Sequence, residues 1–196
     1  MKNYHVYGVG NALVDTEYEV EDSFLADFSI DKGLMTLIDE QTKLEITHHL
    51  DRRYSAKKHT GGGSAANTMV ALAQFGASAF YSCKVADDEI GSFYMNDLHN
   101  VGVVTNLGSQ KHDGITGQCL VMITPDAERT MTTYLGITQD LSIAELDADS
   151  LALSDYLYIE GYLVSSTTGK QTAVEARKIA RQAGVKVSLT DRKSVV

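Results

Sequence analysis

The stretch His59–Ala77, HTGGGSAANTMVALAQFGA, places three consecutive glycines directly before an amphipathic helix that carries an asparagine in its first turns. Glycine lacks a Cβ, so such a run lets the main chain turn at positive φ and approach a ligand closely. Ser64 reads as the helix N-cap, and Ala66, Met69, Val70 and Ala73 follow at helical spacing. The unpaired N–H groups and partial positive charge of a helix N-terminus favour anionic or hydroxyl-rich ligands. From that first turn Asn67 offers both donors and acceptors, which suits a neutral polyol. Taken alone, a glycine cluster is equally a tight strand-to-helix turn with Asn67 in solvent, so the rest of the chain has to decide.

With 196 residues, 43% of them hydrophobic, the chain can bury one good core, and it shows no repeat or low-complexity tract. A formal net charge of −9 argues against nucleic acid or an anionic membrane surface as partner. The N-terminal MKNYHVYGVGNALVD lacks the apolar core and cleavage site of a signal peptide, and no apolar run approaches the ~20 residues that cross a bilayer. The expectation is a soluble, cytoplasmic protein. Cys83 and Cys119 lie apart in strand-like apolar runs and read as buried thiols, too few for a zinc cage. His48 and His49 are adjacent and point to different helix faces, and the other histidines are scattered, so no metal site is expected.

Working outward from the glycines, Tyr4–Gly10 reads as a buried strand ending in Gly-x-Gly. It lacks the third glycine and the immediate helix of a dinucleotide fingerprint. Leu13–Val20 alternates as a second, half-exposed strand; Ser23–Phe28 is a helical turn, Gly33–Ile38 a strand, and Asp39–Arg52 a helix capped by Asp39. After the glycine helix come a strand at Ser78–Val85, a helix at Asp88–Asn100 ending at Gly102, and a short strand at Val103-Val104. This βαβα rhythm implies a mostly parallel sheet with ligands at its carboxyl ends. Thr116–Thr124 and Arg129–Leu135 then read as a β-hairpin, before the alternation resumes: a short acidic helix near Ser142–Leu146, a strand at Asp155–Glu160, a helix at Ser165–Ala183 with Gly184 following as a C-terminal cap, and a strand at Val185–Leu189.

Together these features resemble the PfkB/ribokinase family of carbohydrate and nucleoside kinases. The family's first signature sets two glycines five and four positions before an asparagine, here Gly62, Gly63 and Asn67. It continues into a G-D-D-x-x-G segment, seen in KVADDEIGSFYMNDLHNVGV with Ala86 for the usual first glycine. The hairpin is similar to the family's TG…PDGERT segment, with Ala127 for the turn glycine. The resemblance implies a three-layer α/β/α sandwich with a mostly parallel sheet and a small β-sheet lid, formed here by about residues 12–38 and 113–135, the whole of 1–196 being the N-terminal part of one kinase domain. It implies ATP and Mg2+ as co-substrate and metal, and a sugar or nucleoside acceptor held by Asp15, with Asn11 beside it, and by Gly62, Gly63 and Asn67. An ionised carboxylate can accept from two vicinal hydroxyls at once, which suits Asp15 to this work. Glu160, at a strand end where some relatives carry a sugar-contacting glutamate, ranks behind Asp15 and Asn67, with a salt-bridged rim residue as its alternative.

The YLYIEGYLV segment is similar to adenosine-kinase-type relatives and leans toward a nucleoside. A lid exposed on one face also leads us to expect a homodimer through it. The family's D-T-x-G-A-G-D and N-x-x-E motifs, which carry the catalytic base, anion hole and metal-associated group, do not occur in these residues, and the closing DRKSVV departs from the usual continuation. The resemblance therefore assigns this chain the substrate-binding half of a kinase, inactive alone. The competing readings are a non-catalytic sugar- or nucleoside-binding subunit and a scaffold piece with a vestigial pocket.

Overall fold

Alternation of strand and helix builds the first layer of the protein, whose computed structural model describes residues 2–107 and 112–190. The closing DRKSVV lies outside the described residues. In chain order the elements are β1 (Tyr4–Val9), β2 (Leu13–Glu19), α1 (Asp22–Asp27), β3 (Met35–Leu37), α2 (Glu40–Arg53), β4 (Lys58–Gly62), α3 (Ser64–Gln74) and β5 (Ala79–Ser82). They continue as α4 (Glu89–Asn100), β6 (Val104–Thr105), β7 (Gly117–Ile123), β8 (Arg129–Tyr134), α5 (Ala148–Ala152), β9 (Ser154–Ile159), α6 (Thr167–Gln182) and β10 (Lys186–Leu189).

One sheet, ordered β10-β9-β1-β5-β6, is parallel throughout. Parallel strands are buried on both faces, and here each face has its own core. On one side Ala65, Ala66 and Met69 of α3 and Tyr94 and Leu98 of α4 pack with Ala79 and Tyr81 of β5. On the other, Tyr7 and Val9 of β1 and Leu157 and Ile159 of β9 meet Leu151 of α5 and Ala176 and Ala180 of α6. Tyr7 stacks on Phe80 there with ring centroids 5.0 Å apart. The result is the expected α/β/α sandwich.

The second sheet, ordered β3-β8-β7-β2-β4, is mixed. The hairpin β7–β8 is antiparallel, β2 runs parallel to β7, and β4 pairs antiparallel with β2 from Leu13↔Gly62 to Glu17↔Lys58. β4 has no counterpart in the sequence reading: Lys58–Gly62 has no β-branched run, and it is a strand because β2 supplies its ladder. The 3-10 segment Ile143–Glu145 takes the place of the expected helix near Ser142, and α5 follows it.

Tyr18 and Val20 of β2 and Leu120 and Met122 of β7 form a third core with Phe24 and Leu25 of α1 and Ile46 and Leu50 of α2. This core covers one face of the second sheet with the chain's own helices α1 and α2.

Asp88 joins the layers. Its Oδ1 accepts from the Gly91 amide at 2.6 Å, capping α4, and from the Thr116 hydroxyl at 2.6 Å, while Oδ2 accepts from the Thr116 amide at 2.8 Å. The D-D-x-x-G segment therefore fixes where the chain re-enters the second sheet. Ala86 replaces its first glycine without strain, because its φ is not positive. Ala127 differs: in the β7–β8 turn it sits at φ 64°, a left-handed conformation that costs an L side chain roughly 1–2 kcal/mol. Ala127→Gly should therefore raise the unfolding free energy by about 0.5–1 kcal/mol, after the added chain entropy of glycine is set against the relieved strain. Urea denaturation of the two proteins measures the difference.

Candidate functional site

Asp15 sits in the middle of β2, with Thr60 of β4 beside it on one side and Cys119 of β7 on the other. Val14, Thr16 and Tyr18 turn to buried positions, so alternation sends Asp15 to the opposite face. Its carboxylate lies against Gly62: a Cβ built at Gly62 would stand 2.5 Å from Oδ1. Any side chain at 62 would displace the acid, which is why this position is glycine. Burial pushes the Asp15 pKa up to about 6, with Arg129 acting against the rise and Glu17 adding to it. The Arg129 guanidinium itself approaches Glu17 at 3.6 Å.

The turn that follows is held from several directions. The Gly61 amide donates to Asp97 Oδ2 at 2.9 Å, and the Tyr94 hydroxyl donates to the Gly62 carbonyl at 3.1 Å. Gly63 adopts φ 101°, and a Cβ there would come within 2.5 Å of the Asn11 carbonyl oxygen. That carbonyl also accepts from the Tyr81 hydroxyl at 2.9 Å. Gly63, not Ser64, is the N-cap of α3, and no side chain caps the helix in the usual way. Ser64 is the first helical residue and donates its hydroxyl to Glu160 Oε1 at 3.1 Å.

Glu160 is 2% exposed and follows the carboxyl end of β9. Its Oε2 accepts from the Asn11 amide at 2.8 Å, and the Ser64 and Ala65 amides face the same carboxylate. Burial raises its pKa and these donors oppose the rise. The donors that reach it, the Asn11, Ser64 and Ala65 amides and the Ser64 hydroxyl, favour its ionised form against the burial. Two expectations change as a result. Glu160 is not an exposed rim residue, because it is buried and protein donors reach both its oxygens. The N-terminus of α3, expected to offer amides to a ligand, already has its counter-charge.

Of the residues marked in the sequence, Asp15, Gly62, Gly63, Asn11 and Glu160 thus form one contiguous junction between the two sheets. Asn67 stands one helical turn beyond Gly63, with its amide donating to the Gly63 carbonyl at 2.9 Å and its side chain exposed. Asn11 is 6% exposed. Tyr81, Tyr94 and Asp97, which hold the junction, were not marked. Their hydroxyls and carboxylate reach the glycine turn and Asn11 from a different strand and helix, so no local pattern signals them. Among the described residues no three His, Cys, Asp or Glu side chains come together to hold a metal ion. No described helix is long and apolar enough to cross a membrane.

Fold and junction together define an α/β domain whose candidate site lies where a parallel sheet meets a mixed one. The pfkB family carbohydrate kinase model matches residues 28–195, and the chain belongs to that family. The Escherichia coli K12 guanosine-inosine kinase is 26% identical over 191 residues, a match covering 94% of this chain and 44% of that kinase. Among solved structures, the adenosine kinase from Sinorhizobium meliloti aligns at 35% identity with a TM-score of 0.84, over 96% of this chain and 56% of that one. A probable sugar kinase from Rhizobium etli CFN 42 aligns at 33% identity with a TM-score of 0.85, with the same coverages of 96% and 56%. The chain spans about half the length of these relatives.

A carboxyl group whose folded pKa is raised binds a proton more readily in the folded protein than in the unfolded one. Stability from this group therefore falls as pH rises from about 4 to about 6, and the loss is complete above that range. At pH 7 the ionised Asp15 should cost the free protein roughly 2–3 kcal/mol. Asp15→Asn should accordingly be more stable than the parent at pH 7 and indistinguishable from it below about pH 4. Urea denaturation of both proteins across that range tests the sign.

Proposed function

We propose that this chain binds the acceptor of a pfkB-type kinase that transfers the γ-phosphoryl group of ATP to a hydroxyl of a nucleoside. The observation that carries the proposal is the Asp15 carboxylate, held in a partly dry site against Gly62 with its pKa raised. An enzyme that keeps a charge where it is costly has a use for it. Asp15 accepts from two vicinal ribose hydroxyls, and Asn67 and Asn11 supply amide groups around the same sugar. The missing side chain at Gly62 keeps the acid in place, and the bend at Gly63 carries the chain past it. Orientation of the acceptor hydroxyl is this chain's contribution to the rate.

The second sheet acts as the lid, formed by about residues 12–38 and 113–135 together with β4. Register puts Leu13, Met35, Met131 and Leu37 on the same face as Asp15. Leu37 is 51% exposed there, and the other three are partly buried. An apolar strip beside a diol-binding acid suits a flat base next to a ribose better than a free sugar. The adenosine kinase and the guanosine-inosine kinase among the relatives agree with that choice of acceptor.

ATP and Mg2+ come into the proposal through the family. Among the described residues no three His, Cys, Asp or Glu side chains meet, and the amides at the α3 N-terminus already face Glu160. The base and nucleotide groups are proposed to come from residues beyond these 196. By itself the chain binds acceptor without turnover.

Isothermal titration with adenosine, inosine, ribose and fructose tests this reading. Adenosine or inosine should bind more tightly than either sugar, and Asp15→Asn should weaken nucleoside binding by about 30-fold or more, the scale of a lost charged hydrogen-bond pair. Affinity should also fall about tenfold per pH unit below about pH 6, as Asp15 takes up a proton. Equal binding by the parent and Asp15→Asn would remove the residue from the site.

A further inference from the structure

The carboxylate of Glu160 has the partners of a structural brace, and the elements it braces are those that carry the proposed acceptor groups. Its own amide donates to the Val9 carbonyl at 3.0 Å, placing it against the end of β1. Gly10 leaves the space the side chain fills, since a Cβ at Gly10 would collide with Oε2. From there Oε2 holds the Asn11 amide at 2.8 Å and Oε1 holds the Ser64 hydroxyl at 3.1 Å. Asn11 begins the crossing that leads to Asp15, and Ser64 begins the helix turn that displays Asn67. A shift of either start would move one acceptor group relative to the other.

We propose that Glu160 is a positioning residue: without touching the acceptor, its carboxylate locks the Asn11 crossing to the first turn of α3, so that Asp15 and Asn67 face one ligand. This rests on the acceptor site proposed above. The chemistry requires an acid and not merely a side chain of that size. The groups around it are N–H and O–H donors, and a carboxylate can accept from all of them. Glutamine has the same shape but must turn its NH2 group toward either the Asn11 amide or the Ser64–Ala65 amides, donor against donor. The negative charge also offsets the partial positive charge at the helix start.

The test compares the parent with Glu160→Gln by residue-resolved amide hydrogen exchange and by titration with adenosine. A space-filling role predicts that the isosteric variant behaves as the parent. The positioning role predicts exchange at least tenfold faster at Asn11, Ser64 and Ala65, with Leu120 and Val121 of β7 unchanged, and adenosine affinity reduced about tenfold. Unchanged exchange at the three amides, or affinity within twofold of the parent, would overturn it. Should Glu160→Gln fail to fold, Ser64→Ala removes a single donor to the acid; faster exchange at Asn11 and Ala65 with about threefold weaker binding supports the proposal, and parent-like values overturn it. If the parent itself does not bind adenosine, the nucleoside reading fails, and the exchange measurement, which needs no ligand, still decides whether Glu160 holds the two segments.

Discussion

The Asn11 carbonyl lies against the Cα of Gly63, and no other residue type fits at that contact. Two chain segments that leave the parallel sheet in different directions must pass each other here, one entering β2 and the other leaving β4 for α3. The remaining passages between the sheets gather nearby. The Ala12 amide donates to the Thr138 hydroxyl at 2.8 Å, just past the end of β8, and the Ile137 amide donates to the Ile115 carbonyl at 2.9 Å, just before β7 begins. Asp88 secures the same approach to β7 through Thr116. Among the described residues the passages between the two sheets thus gather at one joint, and the proposed acceptor groups lie on it.

That concentration has an energetic consequence. A joint made of close backbone passages leaves many polar groups in a dry place, and each needs a partner. Tyr81, Tyr94, Asp97, Thr116, Thr138 and Glu160 supply them. Asp15 is the exception, because it gains little from the protein and its charge works against folding. The contrast separates two kinds of buried acid in one small region. Glu160 is surrounded by donors and serves the fold, while Asp15 is left with capacity to accept from something else.

Much of this was legible in the residues. Asp39 and Asp88 cap their helices as their positions imply, the β7–β8 hairpin follows from its alternation, and the glycine run correctly marks the turn into α3. The misses share a cause. β4 exists only because β2 pairs with it, Ser64 gives its hydroxyl to a distant acid while Gly63 takes the cap position, and the buried partners of Glu160 are remote in the chain. The Glu160–Asn11 bond spans 149 positions. Local pattern carries propensity and caps, whereas a buried polar group takes its meaning from segments that meet only in the folded chain.

The covering of the second sheet bears on how the site works. A mixed sheet with one face toward the proposed acceptor must hide its other face, either on another molecule or on its own chain. Here Phe24, Leu25, Ile46 and Leu50 from α1 and α2 do so, giving the sheet a core that does not borrow from the parallel sheet. The two layers still share contacts, because Val14 of β2 is buried in the core formed by α3, α4 and β5, and Gly61 and Gly62 of β4 bond to Asp97 and Tyr94 of α4. In the proposed closure over an acceptor, the residues at the joint are the hinge, and an acid that fixes two of the passages through it sets the starting geometry.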